Sequence, residues 1–164
     1  MDDSELVVSD TSPLLNLALI DRPDFVRDQF STVVVPEHVW SELMNGEDGV
    51  ERLRSARDDG TIEIVSLEET PLFVEFRRNL DVGEAAALAY ALEEDADLVL
   101  IDERDARQIA RRHGLSMTGV VGILIRGSNE ETVTLRTELD RLREAGFWIS
   151  DELYETALEQ SNSK

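Results

Sequence analysis

The sequence predicts an α/β fold, a three-layer α/β/α sandwich around a central parallel sheet. Short β-branched or aliphatic runs alternate with segments of helical period, the order that builds βαβ units. The 164 residues are 41% hydrophobic, enough for one domain with a proper core. No repeat or low-complexity block interrupts them. One domain is expected over residues 1–160, with 161–164 as a frayed tail.

Leu6 to Ser9 reads as the first strand. Thr11 or Ser12 can cap the next helix, which has Pro13 near its first turn and Leu14, Leu15, Leu17 and Ala18 along it. Thr32 to Val35 is a second strand. Pro36 starts a helix carrying Val39, Trp40, Leu43 and Met44, which Asn45-Gly46 ends. Val50 to Asp58 is helical, and Thr61 to Val65 is a strand by its β-branched content. Pro71 to Leu80 is a helix, and Asp81 caps the alanine-rich Val82 to Glu93. Leu98 to Ile101 is a buried strand, followed by a helix from Arg104 to His113 that Gly114 closes. Leu115 to Thr118 is another strand, and Gly119 to Arg126 a helix of small residues. Glu131 to Glu144 is amphipathic through Leu135, Leu139 and Leu142, Phe147 to Ile149 is extended, and Ser150 caps Asp151 to Gln160.

Charge and composition remove several classes of function. There is no cysteine, so neither disulfides nor thiolate metal sites are possible. No apolar run reaches transmembrane length, and the N-terminus lacks the positive region of a secretory signal. A cytoplasmic protein that does not enter the membrane is expected. The net charge is −20, from 16 basic and 36 acidic residues, and Lys164 is the sole lysine. Such a surface suits concentrated salt, where repulsion is screened over roughly 3 Å at 1 M, and so suggests a halophilic source. An acidic protein kept soluble by its charge is the plainer reading. A nucleic-acid binder normally shows a basic footprint, so any such role here must use metal ions, local arginines or salt.

Four acids stand out: Asp10, Glu42, Glu84 and Asp102. Asp10 and Asp102 end strands, and the carboxyl ends of parallel strands form one ligand-binding edge. Glu42 and Glu84 lie near the starts of helices. Each acid has an ordinary explanation. Asp10 could cap a helix or bond backbone amides, Glu42 could be a solvated surface acid, and Asp102 could cap the helix after it. Asp81-Val82-Gly83-Glu84 has the spacing of a capping box, in which Glu84 reaches back to the Asp81 amide. Gly83 is harder to explain that way, because glycine in a first turn costs stability and leaves room for a ligand or another backbone. Asp105 is either a further ligand or a first-turn acid favoured by the helix dipole. Together the four would suit Mg²⁺ or Mn²⁺, which take hard oxygen ligands and promote phosphoryl chemistry. Without metal they would repel one another, which predicts raised pKa values and stabilisation by metal.

Arg104, Arg107 and Arg111 share a helical face, with Arg112 beside it. This is either a solvated face or, through Arg104 and Arg107, a phosphate-contacting stripe. Ser12 could bond Asp10 or a water, or only cap. His38 and His113 have no paired zinc spacing, and His113 suits a helix end. No phosphate-binding glycine loop or nucleophile elbow is present. Gly119-Val120-Val121-Gly122 reads as tight helix packing.

Val7-Val8-Ser9-Asp10-Thr11-Ser12-Pro13-Leu14-Leu15 resembles the opening motif of PIN-domain nucleases. Val35 to Leu43 resembles the second motif, Leu80 to Ala85 the third, and Leu98 to Arg107 the fourth. The run from Gly114-Leu115 through Gly119 to Leu124 is similar to the following segment of a VapC-like prokaryotic branch. The order and spacing hold over about the first 127 residues. The resemblance implies Mg²⁺ or Mn²⁺ and hydrolysis of single-stranded RNA by a metal-activated water. It implies Asp10, Glu42, Glu84 and Asp102 as acidic ligands, with Ser12 supporting the first aspartate and Asp105 a further candidate. Many members present an aspartate where this chain has Glu84, so direct ligation and ligation through water both stay open. A homodimer and a partner antitoxin are also implied. The competing readings are a Mg²⁺-dependent phosphatase or phospho-acceptor with Asp10 as nucleophile, and a non-catalytic binding module. The absence of a D-x-D pair and of a lysine near the site speaks against the first.

Overall fold

The structure, a computed structural model, describes residues 5–128 and 132–162. Its sheet has five parallel strands: β1 (Val7–Ser9), β2 (Val33–Pro36), β3 (Ile62–Val65), β4 (Leu98–Leu100) and β5 (Met117–Thr118). Their order is β3-β2-β1-β4-β5. The chain first steps outward from β1 to β2 and β3, then returns to the other side of β1 for β4 and β5. The order therefore reverses between β1 and β4, which makes a crevice at their carboxyl ends. Register places Val7 opposite Leu98, Val8 opposite Val99 and Ser9 opposite Leu100. The Asp10 amide extends the pairing by donating to the Leu100 carbonyl at 3.0 Å.

Ten helices are seen among the described residues. They are α1 (Thr11–Leu19), α2 (Asp24–Phe30), α3 (Glu37–Met44), α4 (Val50–Asp58) and α5 (Pro71–Phe76), then α6 (Val82–Glu93), α7 (Arg104–Arg112), α8 (Val120–Gly127), α9 (Thr132–Glu144) and α10 (Asp151–Asn162). Helices α1, α2, α4 and α8 pack together, as do α5, α6 and α7, and α3 touches both α1 and α6. With the right-handed connections that parallel strands require, this strand order puts the two groups on opposite faces of the sheet. Strand residues Val8, Val33, Val35, Val99 and Leu100 are fully buried between them. Helix α6 is buried nearly all round through Ala85, Ala86, Ala87, Leu88, Ala89 and Ala91, and its small side chains bring its backbone close to β1, β2 and β4. No helix among the described residues is long and apolar enough to cross a membrane.

The elements depart from the sequence reading in several places. Helix α2 was not expected, because its short run shows only Phe25 and Val26 as buried apolar residues. Helix α5 stops at Phe76 rather than Leu80. Residues 147–149 form no strand. Asn45 ends α3 in the right-handed region, and Gly46 has no positive φ, so that stop does not use a left-handed glycine. Helix α10 continues to Asn162, and Ser161 is buried, so the expected tail is helical that far. Residues 163 and 164, and the expected first residue of α9, Glu131, lie outside the described residues.

Candidate metal centre

The four acids singled out by sequence line one cleft of about 360 Å³ at the carboxyl edge of the sheet. Asp10 leaves β1 and is only 4% exposed, yet its side chain makes no capping bond to α1. The expected cap, Thr11 or Ser12, is instead part of the helix. Asp10 holds the N-cap position of α1 without a side-chain capping bond, and its backbone partner is the Thr11 amide. Glu42 enters from α3, Glu84 from α6 and Asp102 from the end of β4.

Gly83 shows why small residues surround these acids. A Cβ built on it would lie 2.9 Å from Glu42 Oε1 and 3.6 Å from both Asp10 Oδ1 and Thr11 Oγ1. The glycine therefore leaves space in which carboxylates from α3 and β1 face one another. Gly83→Ala is expected to separate metal binding from folding. The new methyl meets the movable end of Glu42, so the helix should gain up to about 1 kcal/mol from propensity while metal affinity falls. Thermal melting and Mn²⁺ titration of the same variant check both parts.

Asp102 is held more tightly. Its Oδ1 accepts from the Val120 amide at 2.9 Å, the first turn of α8, and its Oδ2 accepts from Ser12 Oγ at 2.9 Å. Asn16 Nδ2 donates in turn to Ser12 Oγ at 3.1 Å and to the Ser12 carbonyl at 2.9 Å. Ser12 therefore supports Asp102, not Asp10 as expected. Asp102 does not cap α7. That position belongs to Glu103, whose Oε1 accepts from the Asp105 amide at 3.2 Å.

Glu84 satisfies its ordinary explanation and still reaches the cleft. Its amide donates to Asp81 Oδ1 at 2.8 Å, and its Oε1 accepts from the Asp81 amide at 3.3 Å, which completes the capping box. The box fixes the side chain beside the other acids, so capping and site membership are compatible.

Asp81 and Glu103 also line the cleft. As sequence, Asp81 reads only as a cap, and Glu103 carries no signal of its own. Asp105, the expected further ligand, is exposed and does not line the cleft. Arg104 is exposed too. Arg107 turns back and donates to the Ile101 carbonyl at 2.8 Å, so it braces the end of β4 beside Asp102. Arg111 and Arg112 are exposed in the last turn of α7. His38 and His113 each pack against a ring, of Phe73 and Phe76 respectively, away from the acids.

Three of the four acids have raised pKa values, with burial as the largest cause and neighbouring acids adding to it at Asp10 and Glu84. Burial first, opposed by the Thr11 amide and reinforced by Glu84, Asp81 and Glu42, pushes Asp10 from 3.8 up to about 7. Burial and then Asp81 lead the causes that push Glu84 from 4.5 up to about 7. Asp102 is also raised, by burial, although the Val120 amide, Ser12 and Arg107 pull it down.

These shifts predict a pH dependence. A carboxyl whose pKa is higher in the folded state binds more protons folded than unfolded, so stability falls as pH rises. The contribution of Asp10 and Glu84 is present in full below about pH 4 and is lost as pH rises through about 7. The metal-free melting temperature is expected to drop across that window. Mn²⁺ should restore it above pH 7 and do little near pH 5. Melting curves with and without EDTA check this.

Among the described residues, no group of three or more acidic or histidine side chains is already arranged to hold an ion. Both Asp102 oxygens and Glu84 Oε1 are engaged by the protein, and the remaining acids repel. The donor chemistry nevertheless fits a hard divalent cation: several carboxylates, no histidine or sulfur, and the buried Thr11 Oγ1, which has no hydrogen-bond partner. Asp10, Glu42, Glu84 and Asp102 are the residues that would hold it.

The family described as DUF3368, PIN domain, matches residues 6–163. Among solved structures, the chain is similar to a PilT N-terminus domain protein of the hyperthermophilic archaeon Sulfolobus solfataricus P2. The TM-score is 0.56 at 19% identity, covering 74% of this chain and 92% of the other. At that identity the likeness speaks for the fold. No curated protein matches the sequence.

Proposed function

The chain belongs to the PIN-domain family, and on that premise we propose that it is a Mg²⁺- or Mn²⁺-dependent endoribonuclease acting on single-stranded RNA. The observation that carries this reading is the meeting of Asp10 and Asp102 at the crevice between β1 and β4, with Glu42 and Glu84 in the same cleft. A bound divalent cation would supply charge to a phosphodiester and acidify a water. The protein's own part is to hold its carboxylates in place. Asn16 orients Ser12, Ser12 and the Val120 amide fix Asp102, and Arg107 braces the backbone from which Asp102 leaves. Burial first, and the neighbouring acids after it, disfavour the ionised forms of Asp10 and Glu84, and a bound cation would favour them.

We extend the proposal to a toxin of the VapC-like branch, held by an antitoxin and acting as a homodimer in a salt-rich cytoplasm. The motif order, and for the salt the −20 charge, support this. A small reading frame beside the gene is expected on the toxin reading.

The phosphatase reading is weaker. Ser12 stands where a second acid would be, and its hydroxyl is committed to Asp102. The sole lysine is Lys164, the last residue of the sequence. An RNA cleavage assay in molar KCl, with Mn²⁺ or EDTA, tests the proposal. Metal-dependent cleavage by the wild type is expected, with none by Asp10→Asn. Hydrolysis of a phosphomonoester instead, lost in Asp10→Asn, would favour the phosphatase.

A further inference from the structure

Beside the acidic cleft runs a second groove of about 440 Å³, and the two share Asp102 and Phe147. Its outer edge is Trp148, which is 81% exposed, far more than any other large apolar side chain among the described residues. We propose that Trp148, together with Phe147, is a stacking platform for a base of the single-stranded RNA whose scissile phosphate lies in the acidic cleft. This rests on the ribonuclease reading.

Three observations support a nucleic-acid strand as the occupant. The first is how firmly the backbone that carries the exposed ring is held. Gly146 turns the chain at φ 106°, the Phe147 amide donates to the Leu142 carbonyl at 3.1 Å, and Arg143 Nη2 donates to the Ile149 carbonyl at 2.8 Å. Ser150 Oγ then accepts from the Leu153 amide at 3.0 Å, which anchors the start of α10. Phe147 and Ile149 turn inward while Trp148, between them, stands in solvent. A rigid mount lowers the entropy lost on stacking.

The second is charge. The acidic cleft carries six carboxylates, whereas the groove has only Asp102, faced by the Arg107 guanidinium. Of the two spaces, the groove therefore opposes a polyanion less than the cleft does. The third is continuity. An occupant of the groove abuts Asp102, so one strand can span both spaces, with phosphate at the acids and base on the indole. Every base has a π face, so such stacking tolerates any sequence.

The test uses the two tryptophans. Trp40 is half-buried with the Arg57 guanidinium 5.3 Å from its ring, so Trp40→Phe isolates the Trp148 emission. In a Trp40→Phe protein with Mg²⁺, short oligoadenylate RNA is expected to quench that emission on rapid mixing, before cleavage, and an abasic chain of equal length is not. In active protein, Trp148→Ala should weaken KM about 5- to 150-fold, with the loss in KM rather than kcat, and Trp148→Phe should recover most of it. Equal quenching by the abasic chain, or an unchanged KM in Trp148→Ala, overturns the proposal. So does a dimer-to-monomer change in Trp148→Ala with RNA cleavage intact, which makes the patch a contact between copies. If the wild type cleaves no RNA, the ribonuclease reading fails, while base-dependent quenching still upholds the platform.

Discussion

Asp10→Asn is expected to abolish metal-dependent RNA cleavage while making the metal-free protein more stable above pH 7. Asp10 is almost wholly buried, and its pKa near 7 means that ionising it costs folding free energy. The cost is about 1.4 kcal/mol for every unit that burial has moved the pKa, so a neutral amide should stabilise the metal-free protein by a few kcal/mol. The backbone amide that favours the Asp10 carboxylate, that of Thr11, can still be met by the asparagine carbonyl oxygen. Removing a residue that merely supports a metal ligand typically costs about 10- to 100-fold, so losing a proposed ligand should cost at least about 100-fold. Cleavage rates with Mn²⁺, and melting curves in EDTA at about pH 8, measure the two effects. A destabilised variant would mean that Asp10 serves the fold.

Gly119→Ala should be nearly as damaging, for a steric reason. The backbone there is extended, with φ −118° and ψ −171°, so alanine is conformationally acceptable. Its Cβ, however, would lie 2.3 Å from Asp102 Oδ1, 3.2 Å from Arg107 Nη1 and 3.3 Å from the Ile101 carbonyl oxygen. Asp102 would have to leave the Val120 amide and the Ser12 hydroxyl. Crowding of this kind typically costs about 1–3 kcal/mol, and misplacing the carboxylate should lower Mn²⁺ affinity by about 100-fold. Gly122→Ala is the control. Its Cβ would meet Thr118 Oγ1 at 2.2 Å, so it should lower the melting temperature and leave Mn²⁺ binding in place.

The sheet was legible because each strand is a short apolar run, and two of those runs end in aspartate. Asp10 and Asp102 were legible for the same reason, and Glu42 and Glu84 from their places near the starts of helices, with the motif resemblance grouping all four. What escaped depends on geometry across the sheet. The choice of Asp102 over Asp10 as the partner of Ser12 follows from the pairing of β1 with β4, which the local sequence does not encode. Glu103 enters the cleft where Asp105 does not, because the chain turns at the end of β4 and the cap and first turn of α7 face different ways. Arg107, expected in a phosphate-contacting stripe, commits one guanidinium nitrogen to a backbone carbonyl six residues back and still lines the groove beside Asp102. Gly119 was read as helix packing, whereas it makes room for Asp102. Asn16 could have been noticed from its place one helical turn after Ser12.

The central claim is that the crevice between β1 and β4 binds a divalent cation through Asp10, Glu42, Glu84 and Asp102. Mn²⁺ titration by isothermal calorimetry in molar KCl tests it most directly, on wild type, Asp10→Asn, Asp102→Asn and Asp105→Asn. Saturable binding is expected in the wild type and in Asp105→Asn, and its loss in Asp10→Asn and Asp102→Asn. Equal binding by all four proteins, or loss only in Asp105→Asn, would contradict the account.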